Sequence, residues 1–127
     1  MAELLYVDKG CVHSVADGVE QVLHQGEMVL YAPEQWHMQY ADADQAPRMV
    51  TIGFWARGLK WDSLSNRCFR HDRETATLLR QILREQERGN ADSIFSLLTL
   101  LLLRLQEKKA EDTDEGMQPT ISGEISS

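Results

Sequence analysis

Short apolar or alternating runs, each ended by turn chemistry, fill the first half of the chain. Residues 4–7 are a continuous apolar run closed by Asp8-Lys9-Gly10. Residues 11–15 alternate and meet Asp17-Gly18. Residues 19–24 alternate again and stop at Gln25-Gly26. An Asp-Gly pair between two alternating runs signals a hairpin, because Gly accepts positive φ freely. Residues 28–31 form a second continuous apolar run, stopped by Pro33, and residues 36–40 follow. A polar loop over residues 42–47 leads into residues 49–55, rich in the β-branched and aromatic side chains that favour strands. Strands this short, with turn signals every few residues, predict a sandwich or small barrel.

The period changes in the second half. Residues 57–66 read as an irregular connection and residues 67–70 as a closing strand. Asp72 is positioned to cap a helix, with Thr75 three residues on. From there Leu78, Leu79, Ile82, Leu83 and Gln86 recur at helical spacing. Gly89-Asn90 ends that helix, as a C-terminal glycine does. Asp92 is the expected cap of a second helix with the stripe Ile94, Phe95, Leu97, Leu98, Leu101, Leu102 and Leu105. The two form a helical hairpin with a very short turn. Leucines fall on more than one side of the second helix, more than one buried face requires, and this predicts a subunit interface. From about residue 110 onward the chain is Glu, Asp, Thr, Gly, Ser and Pro with few apolar anchors, the composition of a linker or tail. The expected layout is a β-domain over residues 1–71, the hairpin over 72–109 and the tail over 110–127.

Composition narrows the function classes. At 127 residues the chain fits one domain. Its formal net charge of −7, from 20 acidic and 13 basic residues, has the wrong sign for a nucleic-acid surface, so direct DNA or RNA contact is not expected. Cys11 and Cys68 stand alone, without a CxxC pair, which predicts reduced thiols in a cytoplasmic protein. The first residues lack the basic and apolar stretches of a signal peptide, and the apolar run at 97–103 is too short to span a bilayer.

Two segments carry a family resemblance. Glu3 to Gly10 resembles the end of the first cupin motif, a Glu followed by six residues and a Gly. Gly26 to His37 resembles the second, with a His eleven positions after the Gly. The hairpin over residues 11–25 sits between them, as in compact cupins. With the helical hairpin and acidic segment that follow, the layout over roughly residues 3–109 resembles the N-terminal effector-binding and dimerisation domain of AraC-type transcriptional regulators. Ala32 and Glu34 depart from the Pro and Gly usual in the second motif. The resemblance implies a mainly β, cupin-like jelly-roll barrel that binds a small-molecule effector, followed by helices that pair two copies. It also implies a helix-turn-helix domain in a longer parent chain, and first strands upstream of Glu3 whose absence would leave an edge open to pairing.

A small barrel encloses a cavity lined by alternate residues of each strand, mostly apolar with a few orienting polar groups. The expected ligand-binding residues are Tyr6, Tyr31, His37, Gln39 and Trp55. Alternation puts His37 and Gln39 on one face, with Trp36, Met38 and Tyr40 on the other. The resemblance makes the His37 face the inner one. Glu3 and His37 match two cupin metal-ligand positions, but the HxH pair of the first motif is not in the chain, and His13 and His24 lie outside motif positions. No metal, cofactor or catalytic residue is therefore expected. No GxSxG and no recognisable Cys–His spacing is present. The leading expectation is a sensing module. A metal-dependent oxygenase or isomerase of cupin type, and a plain dimerisation domain with a filled barrel, are the alternatives. The effector stays open between a sugar and an aromatic acid anchored by Arg48.

Overall fold

The computed structural model describes residues 1–112 and 124–126. In chain order the elements are β1 (Ala2–Lys9), β2 (Cys11–Ala16), β3 (Val19–His24), β4 (Met28–Tyr31), β5 (His37–Tyr40), β6 (Arg48–Arg57), α1 (Trp61–Leu64), β7 (Cys68–Phe69), α2 (Arg73–Arg88), α3 (Ala91–Asp112) and β8 (Glu124–Ser126). They fall into two compact units, one of residues 1–55 and 61–71, the other of residues 56–60 and 72–127. The chain is mainly β, with antiparallel sheets and helices toward its C-terminal side. Most of the tail expected over residues 110–127 lies outside the described residues, and α3 runs on to Asp112.

In the first unit β7, β4, β1 and β6 form one sheet in that order, and β3, β2 and β5 form another. Asp17 and Gly18 both take positive φ, 50° and 78°, the backbone that a two-residue hairpin turn between β2 and β3 requires. Residues opposite one another on a ladder share a face. Leu5 pairs with Val29 and Thr51, Glu3 with Tyr31 and Gly53, Ser14 with Gln21 and Gln39, and Ala16 with His37. Leu5, Val7, Val29 and Tyr31 of the first sheet pack with Val12, Ala16 and Leu23 of the second, all with no exposed surface. The two sheets thus lie face to face over an aliphatic core. At about 25 cal/mol per Å² of apolar area removed from water, such side chains stabilise the unit by roughly 1.5–3 kcal/mol each. Among the described residues no ladder joins the two sheets, so the barrel expected from the strand pattern is an open sandwich rather than a closed one.

Gly26 packs directly against His71. Its φ is +88°, and a Cβ there would stand 2.5 Å from His71 Nδ1. The connection expected to be irregular contains the single turn α1, whose Leu64 is 1% exposed.

In the second unit Asp72 caps α2, its carboxylate accepting from Thr75 N at 2.9 Å. Gly89 closes the helix in the left-handed conformation at φ 72°. The cap of α3 is Asn90 rather than the expected Asp92. Asn90 Oδ1 accepts from Ser93 N, which leaves Asp92 inside the first turn. Arg104 bridges Glu74 and Glu107, and Lys108 lies 3.3 Å from Asp72. Leu98, Leu101, Leu102 and Leu105 are buried within one copy, at 5%, 0%, 2% and 1% exposure. Of Leu97, Leu98, Leu101 and Leu105, expected not all to be covered within one copy, the last three are covered and Leu97 is not. The ones left partly exposed are Leu97, Leu100 and Leu103.

Candidate functional site

Five polar side chains on the facing sides of the two sheets come together. β1 brings Glu3, β4 brings Tyr31, β2 brings Ser14 and β5 brings His37 and Gln39, all on the inward faces by their register. The His37 ring stacks on Tyr31, with centroids 4.0 Å apart and planes 10° from parallel. His37 Nδ1 lies 3.0 Å from Gln35 O, and a carbonyl oxygen only accepts, so Nδ1 carries the proton. Nε2 is thereby aimed at Glu3, 3.4 Å from Oε1. In the neutral ring Nε2 offers a lone pair to an incoming donor, and in the imidazolium it donates to the carboxylate.

Beneath the imidazole, the Tyr31 hydroxyl forms a short hydrogen bond with Ser14 Oγ, and both residues are fully buried. Burial raises the Tyr31 pKa above its ordinary value of 10. The Ser14 hydrogen bond and the nearby Gln39 amide oppose that rise, and the Glu3 charge adds to it. Gln39 lies close enough to favour the phenolate, yet its Nε2 is shielded from solvent and makes no hydrogen bond of standard geometry. A donor held that way costs about 1–3 kcal/mol relative to a satisfied one.

The set stands at the border between packed and open inner surface. On β6 the same face carries Met49, Thr51, Gly53 and Trp55, all exposed, with Met49 at 42% and Trp55 at 57%. Below the set, Leu5, Val7, Val12, Leu23 and Val29 fill the sandwich. The site is therefore a polar cluster, with Glu3 and His37 partly exposed, over a filled aliphatic floor, where the strand pattern predicted a cavity along the barrel.

Of the residues expected to bind ligand, the structure brings Tyr31, His37 and Gln39 together. Tyr6 is not among them. It pairs with Met28 and Val50, on the face of the first sheet turned away from the second. The run Leu4-Leu5-Tyr6-Val7 is buried on both faces, so its pattern carries no alternation to assign a side. Trp55 shares the inner face but makes no ring contact with Tyr31 or His37 among the described residues. Ser14 was missed, although alternation in β2 puts it in line with the buried Val12 and Ala16.

The site brings together a carboxylate, an imidazole and an amide. Among the described residues no group of three or more His, Cys, Asp or Glu is placed to hold a metal ion, and no helix is long and apolar enough to cross a membrane. No protein-family model, curated protein or solved structure matches the chain.

Proposed function

We propose that this chain is a small-molecule-binding module with a cupin-like, jelly-roll ancestry, acting by binding rather than catalysis. In this reading it is the effector-sensing and dimerisation part of an AraC-type transcriptional regulator whose DNA-binding domain lies in a longer parent chain or a partner. The observation that carries the binding role is the partly exposed Glu3–His37 pair beside the Gln39 amide, whose Nε2 is near Tyr31 but makes no hydrogen bond of standard geometry. A ligand oxygen accepts from Gln39 Nε2 while a ligand hydroxyl or amine donates to Glu3 or His37. Such an exchange gives the Gln39 amide a well-aligned acceptor in place of its poor contact with Tyr31. Binding at the margin between the sheets then favours one arrangement of the pair of subunits, a population shift that a downstream domain senses.

The dimer rests on α3. Its buried stripe is satisfied within one copy, while Leu97, Leu100 and Leu103 line another side and stay partly exposed. A second copy covers that ridge.

The test is calorimetric titration with hydroxylated and carboxylated metabolites, first on the intact chain and then on Gln39→Leu. The reading expects at least one ligand whose affinity falls about tenfold or more in the variant, the loss that an unpaired buried group produces. Ligands that bind both proteins equally would place recognition elsewhere.

A further inference from the structure

Residues 10–47 contain Asp17, Glu20, Glu27, Glu34, Asp42 and Asp44 and not one Lys or Arg. Six of the seven net negative charges thus come from this stretch, and the remainder of the chain is close to neutral. The stretch builds the whole β3-β2-β5 sheet. On the face turned away from the core, Val22, His13 and Tyr40 form one cross-strand row, and Glu20, Val15 and Met38 form the next. Trp36 precedes the inward His37 and continues the outward positions of β5. Trp36, Met38, Tyr40 and Val22 are 61%, 43%, 40% and 41% exposed.

A solvated face of an antiparallel sheet is ordinarily polar. Here it carries a tryptophan, a methionine and a tyrosine, the side chains enriched at the centres of protein interfaces. Exposed apolar surface of that kind, rimmed by polar groups, marks an interaction site. The rim is acidic. The Glu20 carboxylate accepts from Tyr40 OH at 2.7 Å, Asp42 lies 3.2 Å from His13 Nε2, and the Asp17 carboxylate, next to Trp36 through the Asp17 N to Trp36 O hydrogen bond, accepts from Gln35 Nε2 at 2.7 Å.

We propose that this face docks a cationic amphipathic segment of a partner protein. Its apolar side chains lie across Trp36, Met38, Tyr40 and Val22, and its Lys or Arg side chains reach Glu20, Asp42 and Asp17. Charge complementarity selects this occupant. A second copy would set the same carboxylates against one another, and nucleic acids or anionic bilayers meet the same repulsion.

The test titrates the full chain with an amphipathic helical peptide of Leu and Lys, using the same pattern in Leu and Glu as a control. Binding is read by calorimetry and tryptophan fluorescence. The Leu/Lys peptide is expected to bind and to weaken about tenfold when salt rises from about 50 to about 300 mM, as screening of exposed charges requires. Trp36→Ala combined with Met38→Ser should weaken it a further tenfold or more, and Glu20→Gln combined with Asp42→Asn several-fold. Phe95→Ala, an exposed apolar side chain elsewhere, should leave it unchanged. The single Met38→Ser variant carries the test if the double variant loses its circular-dichroism signature. No binding of the Leu/Lys peptide, equal binding of the Leu/Glu peptide, or indifference to Met38→Ser would overturn the proposal. Self-association abolished by Met38→Ser would also overturn it, assigning the face to a second copy.

Discussion

Removing the Tyr31 hydroxyl tests how the polar cluster is held together. In Tyr31→Phe the ring still fills its place under His37, so the aliphatic packing and the stacking at 4.0 Å persist. What changes is Ser14, fully buried, whose hydroxyl loses its partner. The cost of an orphaned buried hydroxyl is about 1–3 kcal/mol. Ser14→Ala leaves the Tyr31 hydroxyl beside Gln39 and should cost about 1 kcal/mol. The double variant strands neither group and should be less destabilised than the two single losses combined, with a coupling energy of about 1–2 kcal/mol. Urea unfolding reads this directly. With an m value of about 1–2 kcal/mol/M, a 2 kcal/mol loss moves the midpoint by about 1–2 M. The pH profile adds a second readout. Because burial raises the folded-state pKa of Tyr31, its contribution is full below pH 10, its ordinary value, and is lost as pH rises further. Tyr31→Phe should therefore flatten the decline in stability above pH 10. Additive single losses, or an unchanged midpoint in Tyr31→Phe, would refute the claim that the two hydroxyls satisfy each other.

Burial, reinforced by Glu27, pushes the Cys68 thiol up to about 11, so at pH 9 an alkylating reagent should modify Cys68 more slowly than an unfolded control peptide; equal rates would contradict the packed environment. The Thr75 backbone amide, ahead of Lys108, holds the Asp72 carboxyl below its usual 3.8; its contribution is therefore present above that value and lost as pH falls through the lowered one. Asp72→Ala should cost about 1 kcal/mol at pH 7, and the loss should vanish in melts at low pH; a loss that persists there would point to packing instead of the cap. For the subunit interface, light scattering should give a dimer mass for the intact chain and a monomer mass for Leu97→Glu combined with Leu100→Glu, with helicity retained. Leu98→Glu and Leu101→Glu should unfold the helices instead, because both positions are buried within one copy.

Strand positions were legible wherever alternation or turn chemistry left a mark. Asp17-Gly18 gave the hairpin, β2 alternates in sequence and in burial, and Asp72 with Gly89 bounded α2 as their side-chain and backbone preferences dictate. His37 and Gln39 fall on the inward face because period-two alternation along β5 is preserved. Tyr6 was not assignable because its strand is apolar on both faces, and a sequence pattern reports a side only when the two sides differ. Closure of the sheets was not legible either, since it depends on which edges pair, and local patterns carry no information on that. The burial of Leu98, Leu101 and Leu105 in one copy shows the same limit in α3. Leucines around most of a helix fix how much apolar surface it has, but not which element covers each part.

The most direct test of the binding role follows the ring nitrogens of His37 and the side-chain amide of Gln39 by nitrogen NMR while small hydroxylated and carboxylated metabolites are added. A true ligand should move the His37 Nε2 and Gln39 Nε2 signals together, saturate at one equivalent and leave His24 and the helical amides of α2 unmoved. Ligands that bind without shifting either signal would show that the Glu3–His37–Gln39 cluster is not where this protein recognises small molecules.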